Sequence, residues 1–401
     1  MSEVAIEQET AGRGGGVRGL GARLGITARR VQLALGALWI LDGLLQLQPP
    51  MFGKGFVDNI ILPNAQNQPA PVAWSITTMA HVIRPEVGVW NLFFGLAQLA
   101  IGVGLLSRRT VKPALLAMVA WSFGVWWIGE GFGSVLTGTA SPLMGAPGAV
   151  VLYAVIGVLV WPAQERDGAG RATVGLASSA GGSGRFGPGA PLAAWSGFWL
   201  LGALLWLQPA NRAAGSVHDN LQMMAQAQPS WYRPLLEHLA NVSAGHGTET
   251  AWVLAGASLV IGVGPLVSRR PTPFLVVGAL VSLAFWVTGQ AVGGTLTGAG
   301  TDPNIGPLVA LLALAVLPAR VPSTPRPWQY TGPPSPSPPP RPSRPLCPNG
   351  GKPHATQVVD AAVMSQQSSG TGTPTALTGE GRGRVARWVP AGSESPPGWS
   401  S

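Results

Sequence analysis

The chain has 401 residues, enough for two or three domains, and only 10% of them are charged, against about 25% in an ordinary soluble domain. Apolar types make up 46% and Trp occurs 16 times, a balance that favours lipid over water as solvent. The net charge of +9 would suit a nucleic-acid partner, but the basic residues cluster in short stretches between apolar runs and in the C-terminal tail, which argues against that class.

Residues 1–30 form a basic N-terminal segment. The apolar stretch that follows has no small-residue cleavage site and runs into Gln46 and Gln48. It reads as a retained first membrane helix rather than a signal peptide. Eight apolar segments then succeed one another, at 31–48, 87–106, 114–134, 148–162, 193–208, 250–267, 273–294 and 306–319. Several approach the ~17–25 residues that cross about 30 Å of hydrocarbon. The fourth and eighth are short and require either longer boundaries or a locally thinned bilayer. None shows the period-two alternation of a barrel strand, so helices are the expected spanning form.

The expected fold class is all-α: a polytopic membrane bundle of eight transmembrane helices, arranged as two parallel four-helix repeats with a disordered C-terminal tail. The first repeat covers 31–162 and the second 193–319. Between them lies a Gly/Ser-rich linker, 163–192, expected to be flexible and cytoplasmic. From 320 to 401 the chain is rich in Pro, Ser, Gly and Thr, and it lacks the apolar surface needed to fold. Its Cys347 is the only cysteine, so no intrachain disulfide, iron–sulfur cluster or thiolate zinc site is available.

Eight spans place both termini on one side. Residues 1–30, 107–113, 163–192, 268–272 and 320–401 hold 21 of the 25 Lys and Arg, and the opposite loops hold only Lys54, Arg84, Arg212 and Arg233. The positive-inside rule makes the first set cytoplasmic, with the long loops 49–86 and 209–249 outside the plasma membrane.

The repeat is visible at an offset of about 160 residues. Leu47-Gln48-Pro49 recurs as Leu207-Gln208-Pro209, Asp58-Asn59 as Asp219-Asn220, and Ser107-Arg108-Arg109 as Ser268-Arg269-Arg270. Ala-Gln-x-Gln-Pro occupies 65–69 and 225–229. The longest match sets Gly129-Glu130-x-x-Gly133-x-x-Leu136-Thr137-Gly138 against Gly289-Gln290-x-x-Gly293-x-x-Leu296-Thr297-Gly298. Four spans per copy is an even number, so both copies enter the membrane the same way round, unlike an inverted repeat. Repeated polar residues at the outer face suggest shared architecture there, with a pocket in each half as one form of it.

Two carboxylates are the candidate catalytic residues. Asp42 lies in the first span, where a carboxylate marks function by default; a central one costs roughly 2.5–3.5 kcal/mol, and Asp42, toward the outer end, costs less. Its counterpart is Gly202. Glu130 closes the third span beside Trp126 and Trp127, and its counterpart is Gln290, which keeps shape and hydrogen bonding but not charge. Together the two acids are able to relay protons or hold a cation. The structural alternatives are a hydrogen-bonded Asp between packed helices and a solvated Glu at a helix end. The Leu-Thr-Gly blocks read as tight outer turns closed by hydroxyls, with a ligand clamp as the other option. His81, His218, His238 and His246 share the outer loops with several Met residues, a set that suits copper but matches no metal motif, so no metal site is assigned. The Trp residues near span ends fit aromatic belts, some of them alternatively lining a quinone or lipid pocket.

The opening pattern Trp-x-Leu-x-Gly-x-Leu-x-Leu-Gln-Pro, from Trp39 to Pro49 and echoed from Trp199 to Pro209, resembles the DoxX-like bacterial membrane family. The long outer loop and glycine-rich second and third spans add to the likeness, over 31–162 and 193–319 but not the tail. The resemblance implies a quinone-linked redox accessory, with quinone as the associated cofactor, and it carries over no catalytic residue. Two other classes compete: an envelope structural or assembly protein whose outer loops dock a protein partner, and a small-solute or ion permease. The near absence of ionisable residues from spans 2, 4, 6 and 8 weakens the permease reading.

Overall fold

The computed structural model describes residues 26–166, 172–175 and 189–317. The expected disordered tail and most of the basic N-terminal segment lie outside these residues. Each of the eight apolar segments contains a helix. In the first half these are α1 (Ala28–Gln46), α3 (Val87–Leu106), α4 (Val111–Gly124) and α5 (Ala149–Leu159). In the second they are α6 (Ala190–Trp206), α9 (Gly247–Val267), α10 (Thr272–Val287) and α11 (Ile305–Val316). The long loops expected on the outer side are helical as well: α2 (Ala70–Ile83) in the first, α7 (Ser216–Gln226) and α8 (Arg233–Ser243) in the second.

By length and composition, four helical stretches suffice to cross a membrane: Ala70–Leu106, Val111–Gly129, Gly247–Val267 and Thr272–Thr297. The first merges α2 and α3 into 37 residues, turning at Arg84-Pro85-Glu86 where proline interrupts the ladder. The linker is not wholly irregular, because Ala163–Arg166 (β1) pairs antiparallel with Ala172–Gly175 (β2).

The helices interlock for reasons readable residue by residue. Thr27 caps α1 by accepting from Arg30 N at 3.2 Å. Arg29 donates to Leu105 O at 2.8 Å and Gln32 Nε2 to Val160 O at 2.8 Å, so the start of α1 meets the ends of α3 and α5. At the opposite end Gln46 and Asn91 exchange amide hydrogen bonds. Between these ties α1 and α3 are nearly in backbone contact. A Cβ on Gly43 would lie 3.0 Å from Gly95 O, and one on Gly102 would lie 2.8 Å from Ile40 N and 2.9 Å from Gly36 O. Such small-residue seams are how membrane helices gain dispersion contact without a hydrophobic drive. The matched seam of α6 and α9 carries Ser196, Ala203, Ala255 and Gly262 at the corresponding places.

The fourth helices form the centre. Leu152, Tyr153 and Ile156 of α5 are buried with Leu308, Val309 and Leu312 of α11, and α1 and α6 flank them. Both helices are apolar all round, as fully enclosed helices are. They are also short, at 11 and 12 residues. Each starts within one residue of the expected boundary, directly after a folded glycine-rich segment, and ends three residues before the expected one.

Those segments share one backbone shape. Phe132, Gly133 and Ser134 have φ of 56°, 61° and 57°; Val292, Gly293 and Gly294 have 57°, 69° and 66°. With Gly131 (φ 51°) and Ala291 (φ 44°) each run has four consecutive positive-φ residues, which is rare, since each non-glycine costs about 1–2 kcal/mol there. The third position must be glycine in both, because a Cβ on Gly133 would overlap Pro147 and one on Gly293 would lie 2.6 Å from Asp302 O. Thr137 and Thr297 then donate to Ser134 O (2.8 Å) and Gly294 O (2.7 Å), which is the turn role their Leu-Thr-Gly blocks suggest. Trp126 Nε1 reaches Pro147 O at 2.8 Å, and Trp286 Nε1 reaches Pro303 O at 2.6 Å.

Candidate functional site

A cavity of about 530 Å³ opens inside the first half, between α1, α3, α4 and α5. Trp39, Phe56, Trp90, Phe94 and Trp121 line it together with several aliphatic side chains. Phe94 ties three of these together, with ring centroids 6.4 Å from Phe56, 6.0 Å from Trp90 and 5.9 Å from Trp121. Ala117, Ala120 and Gly124 line the cavity and are also exposed, so it opens along one face of α4, in the middle of an apolar stretch.

Both candidate carboxylates line this one cavity. Asp42 is 4% exposed and its Oδ1 has no hydrogen-bond partner. The Tyr153 hydroxyl faces Asp42 closely enough to interact with it, yet closes no hydrogen bond of ordinary geometry. Gln98 Oε1, Trp39 Nε1 and Trp121 Nε1 are likewise buried and unpaired at the wall. A cluster of buried, unsatisfied polar atoms around an open volume is unusual, because each costs about 1–3 kcal/mol if nothing meets it.

Glu130 has a structural task besides. Its carboxylate accepts from the backbone N–H groups of Val150 and Ala149, at the start of α5. Gly148 lacks the Cβ that would overlap Glu130 Oε2. Gln290 does the matching job in the second half, where its Oε1 accepts from Gly306 N at 3.3 Å. The Glu/Gln pair is therefore a pair of helix-start caps, and the amide and carboxylate share the acceptor that capping uses. Glu130 Oε2 remains unpaired.

The structure adds a third carboxylate that sequence reading missed. Thr301 and Asp302, from the segment before α11, line the first half's cavity. Asn304 N donates to Asp302 Oδ1 at 2.6 Å and Thr301 Oγ1 to Oδ2 at 3.2 Å, which fixes the carboxylate's orientation. Burial holds the Asp302 carboxyl above its ordinary range, against those two donors. Asp302 precedes Pro303 as Ala146 precedes Pro147, so the first half has no equivalent acid. An aspartate without a counterpart in a repeated block was the available signal.

The outer segments of the two halves are exchanged. Asn211 Nδ2 donates to Ala140 O at 2.7 Å, and Gly145 abuts Asn304. Leu143 reaches into the second half, where it packs with Trp206, Leu221, Ala255 and Phe285 and abuts Gly289. Gly289 matches Gly129, and Trp206 matches Gln46, both of which line the cavity of the first half. In the second half, then, Trp206, Phe285 and Leu143 fill the corresponding space, and the polar lining is replaced by Gly202, Ser258 and Val309. Of the pocket expected in each half, the first half's is seen, and Trp206, Phe285 and Leu143 pack into the matching region of the second.

Other candidates fare differently. Trp90 and Trp121 line the cavity, whereas Trp252 is exposed on α9. His218 Nδ1 lies 2.9 Å from Ala240 O. Among the described residues no three His, Cys, Asp or Glu are placed to share a metal ion. Asp58 of the repeated Asp-Asn pair bonds Arg84 at 3.0 Å, and that guanidinium holds its carboxyl below the ordinary value. Comparison with protein-family models, with characterised proteins and with solved structures finds no match to this chain.

Proposed function

We propose that the protein is an eight-span, plasma-membrane protein of two parallel four-helix repeats with cytoplasmic termini, whose first half binds a lipid-soluble small molecule bearing a hydrogen-bonding head. The cavity carries this reading. Its volume lies within the ~300–1,000 Å³ of small-molecule sites, its wall is aromatic, and a few convergent polar groups lie unpaired at it. The opening along Ala117, Ala120 and Gly124 suits entry from lipid rather than from water.

A quinone-linked redox accessory, the role implied by the DoxX-like resemblance, is one protein of this kind. A quinone ring suits a slot between indoles, and its oxygens suit Trp39 Nε1, Trp121 Nε1 and the Tyr153 hydroxyl. An envelope assembly role is the second reading, supported by Trp231 between α7 and α8, which is 71% exposed, and by Leu235 and Val242 of α8, which are exposed as well. The experiment is to purify the full chain in lipid nanodiscs and identify co-purifying small molecules by mass spectrometry, with Ala120→Phe as a plugged control. A bound molecule present in wild type and absent from Ala120→Phe supports the cavity as the site. If nothing co-purifies and no added quinone binds, the ligand reading fails and the assembly reading takes its place.

A further inference from the structure

Among the described residues the acids at the cavity have no positive partner. Asp42, Glu130 and Asp302 all line it, and no Lys, Arg or His is among the lining residues. They come from three different places in the chain, the last third of α1, the residue after the helical turn Val125–Gly129 that follows α4, and the segment before α11, and all three line the one volume. Among the described residues no trio is placed to share a metal ion. Asp42 is more than nine-tenths buried with Oδ1 unpaired, and Gln98 and Tyr153 are equally buried with Oε1 and the hydroxyl unpaired at the same wall. Trp39, Trp90, Trp121, Phe56 and Phe94 line the same cavity.

Carboxylates without counter-ions inside an aromatic box define a recognisable chemistry. A desolvated cation is attracted to aromatic faces, indole best, and to any buried anion. A metal ion would demand a tight set of oxygens. A large organic cation instead spreads its charge over alkyl or aryl groups that the aromatic wall can cover. We propose that the ligand of this cavity is a lipophilic organic cation, an amine or quaternary onium, with Asp42 and Asp302 as its charge partners. The inference rests on the reading of the cavity as a ligand site, but not on that ligand being a quinone. It also gives the second half a purpose: its exchanged segment delivers Asp302 to a site otherwise built by the first half.

The test uses the full chain in nanodiscs of zwitterionic lipid, with radiolabelled tetraphenylphosphonium as the cationic probe and a short-chain ubiquinone analogue as the neutral one. Wild type binds the cation saturably. Asp42→Asn and Asp302→Asn weaken it by about 30-fold or more, as expected when a buried charge loses its partner, and leave binding of the neutral probe within a few-fold. Ala120→Phe, which keeps every acid, blocks both probes and serves if either Asn variant fails to fold. If the ubiquinone analogue binds and the cation does not, the cation assignment is overturned while the cavity reading survives. Cation uptake that is unchanged in both Asn variants and in Ala120→Phe is partition into lipid and also overturns the assignment. If neither probe binds wild type, the cavity reading falls with it.

Discussion

At the scale of residues, the site is a set of acids that differ in what they touch. Asp42 faces a tyrosine and open volume, Glu130 caps a helix start, and Asp302 is held by its own neighbours. Asp302 has a consequence that follows from linkage. Its carboxyl is held above the ordinary value by burial. As pH rises past about 4, the unfolded chain loses this proton while the folded protein still holds it, so the unfolded state binds fewer protons and stability falls with rising pH. The contribution is whole below the unfolded pKa and is lost as pH climbs through the folded one. Asp302→Asn removes that slope. Its apparent melting temperature, measured in nanodiscs without added ligand, should gain on wild type as pH is raised above about 4. A gap between the two that stays constant with pH would show the carboxyl to be well solvated. Asp42 and Glu130 are visible in the sequence as acids in apolar surroundings. That Asp302 joins them is not, because its nearest neighbours in the chain are those of a loop.

At the scale of elements, two contrasts test how the helices are held. Gly102→Ala pushes a methyl against Ile40 N and Gly36 O, backbone atoms that cannot swing aside. It should destabilise the fold by about 1–3 kcal/mol, read as a lowered midpoint in a detergent denaturation series. Gly124→Ala meets nothing within 4 Å and should leave that midpoint unchanged. The second contrast concerns the helix-start caps. Glu130→Gln should fold as well as wild type, since Gln290 already caps α11 through its side-chain oxygen. Glu130→Ala, which leaves α5 without that acceptor, should lose about 1 kcal/mol. Equal stability of the two variants would mean that the carboxylate does not cap α5. The helices themselves follow from hydropathy and the glycine spacing. The extra outer helices do not stand out in that way, because α7 and α8 are amphipathic and interrupted by polar residues. The left-handed turns were marked only by the repeated glycines, which say that a turn exists and not which atoms approach it.

At the scale of the whole molecule, the defining feature is the exchange of outer segments between halves. Leu143→Cys with Gly289→Cys, in a Cys347→Ala background, places two thiols where a leucine side chain now abuts a glycine. Mild oxidation should join them in most of the intact protein, seen as a mobility shift that reductant reverses. A control pairing of Leu143→Cys with Gly129→Cys, the matched position in its own half, should stay reduced. Cross-linking of the control alone would mean that each segment folds back on its own half.

The sequence by itself determined that this chain is helical and of membrane type, and where its apolar segments fall. Hydropathy, charge distribution and self-similarity are properties of local stretches, and they survive without knowledge of packing. The sequence also marked the asymmetry of the halves, in Asp42 against Gly202 and Glu130 against Gln290. Only the tertiary structure decided that Glu130 caps α5, that Leu143, Trp206 and Phe285 fill one space while its counterpart stays open, and that Asp302 stands some 260 positions along the chain from Asp42 yet at the same cavity. Those outcomes depend on which segment crosses to which half, a choice made by steric fit between folded loops and helix ends, and no periodicity along a single strand of sequence records it.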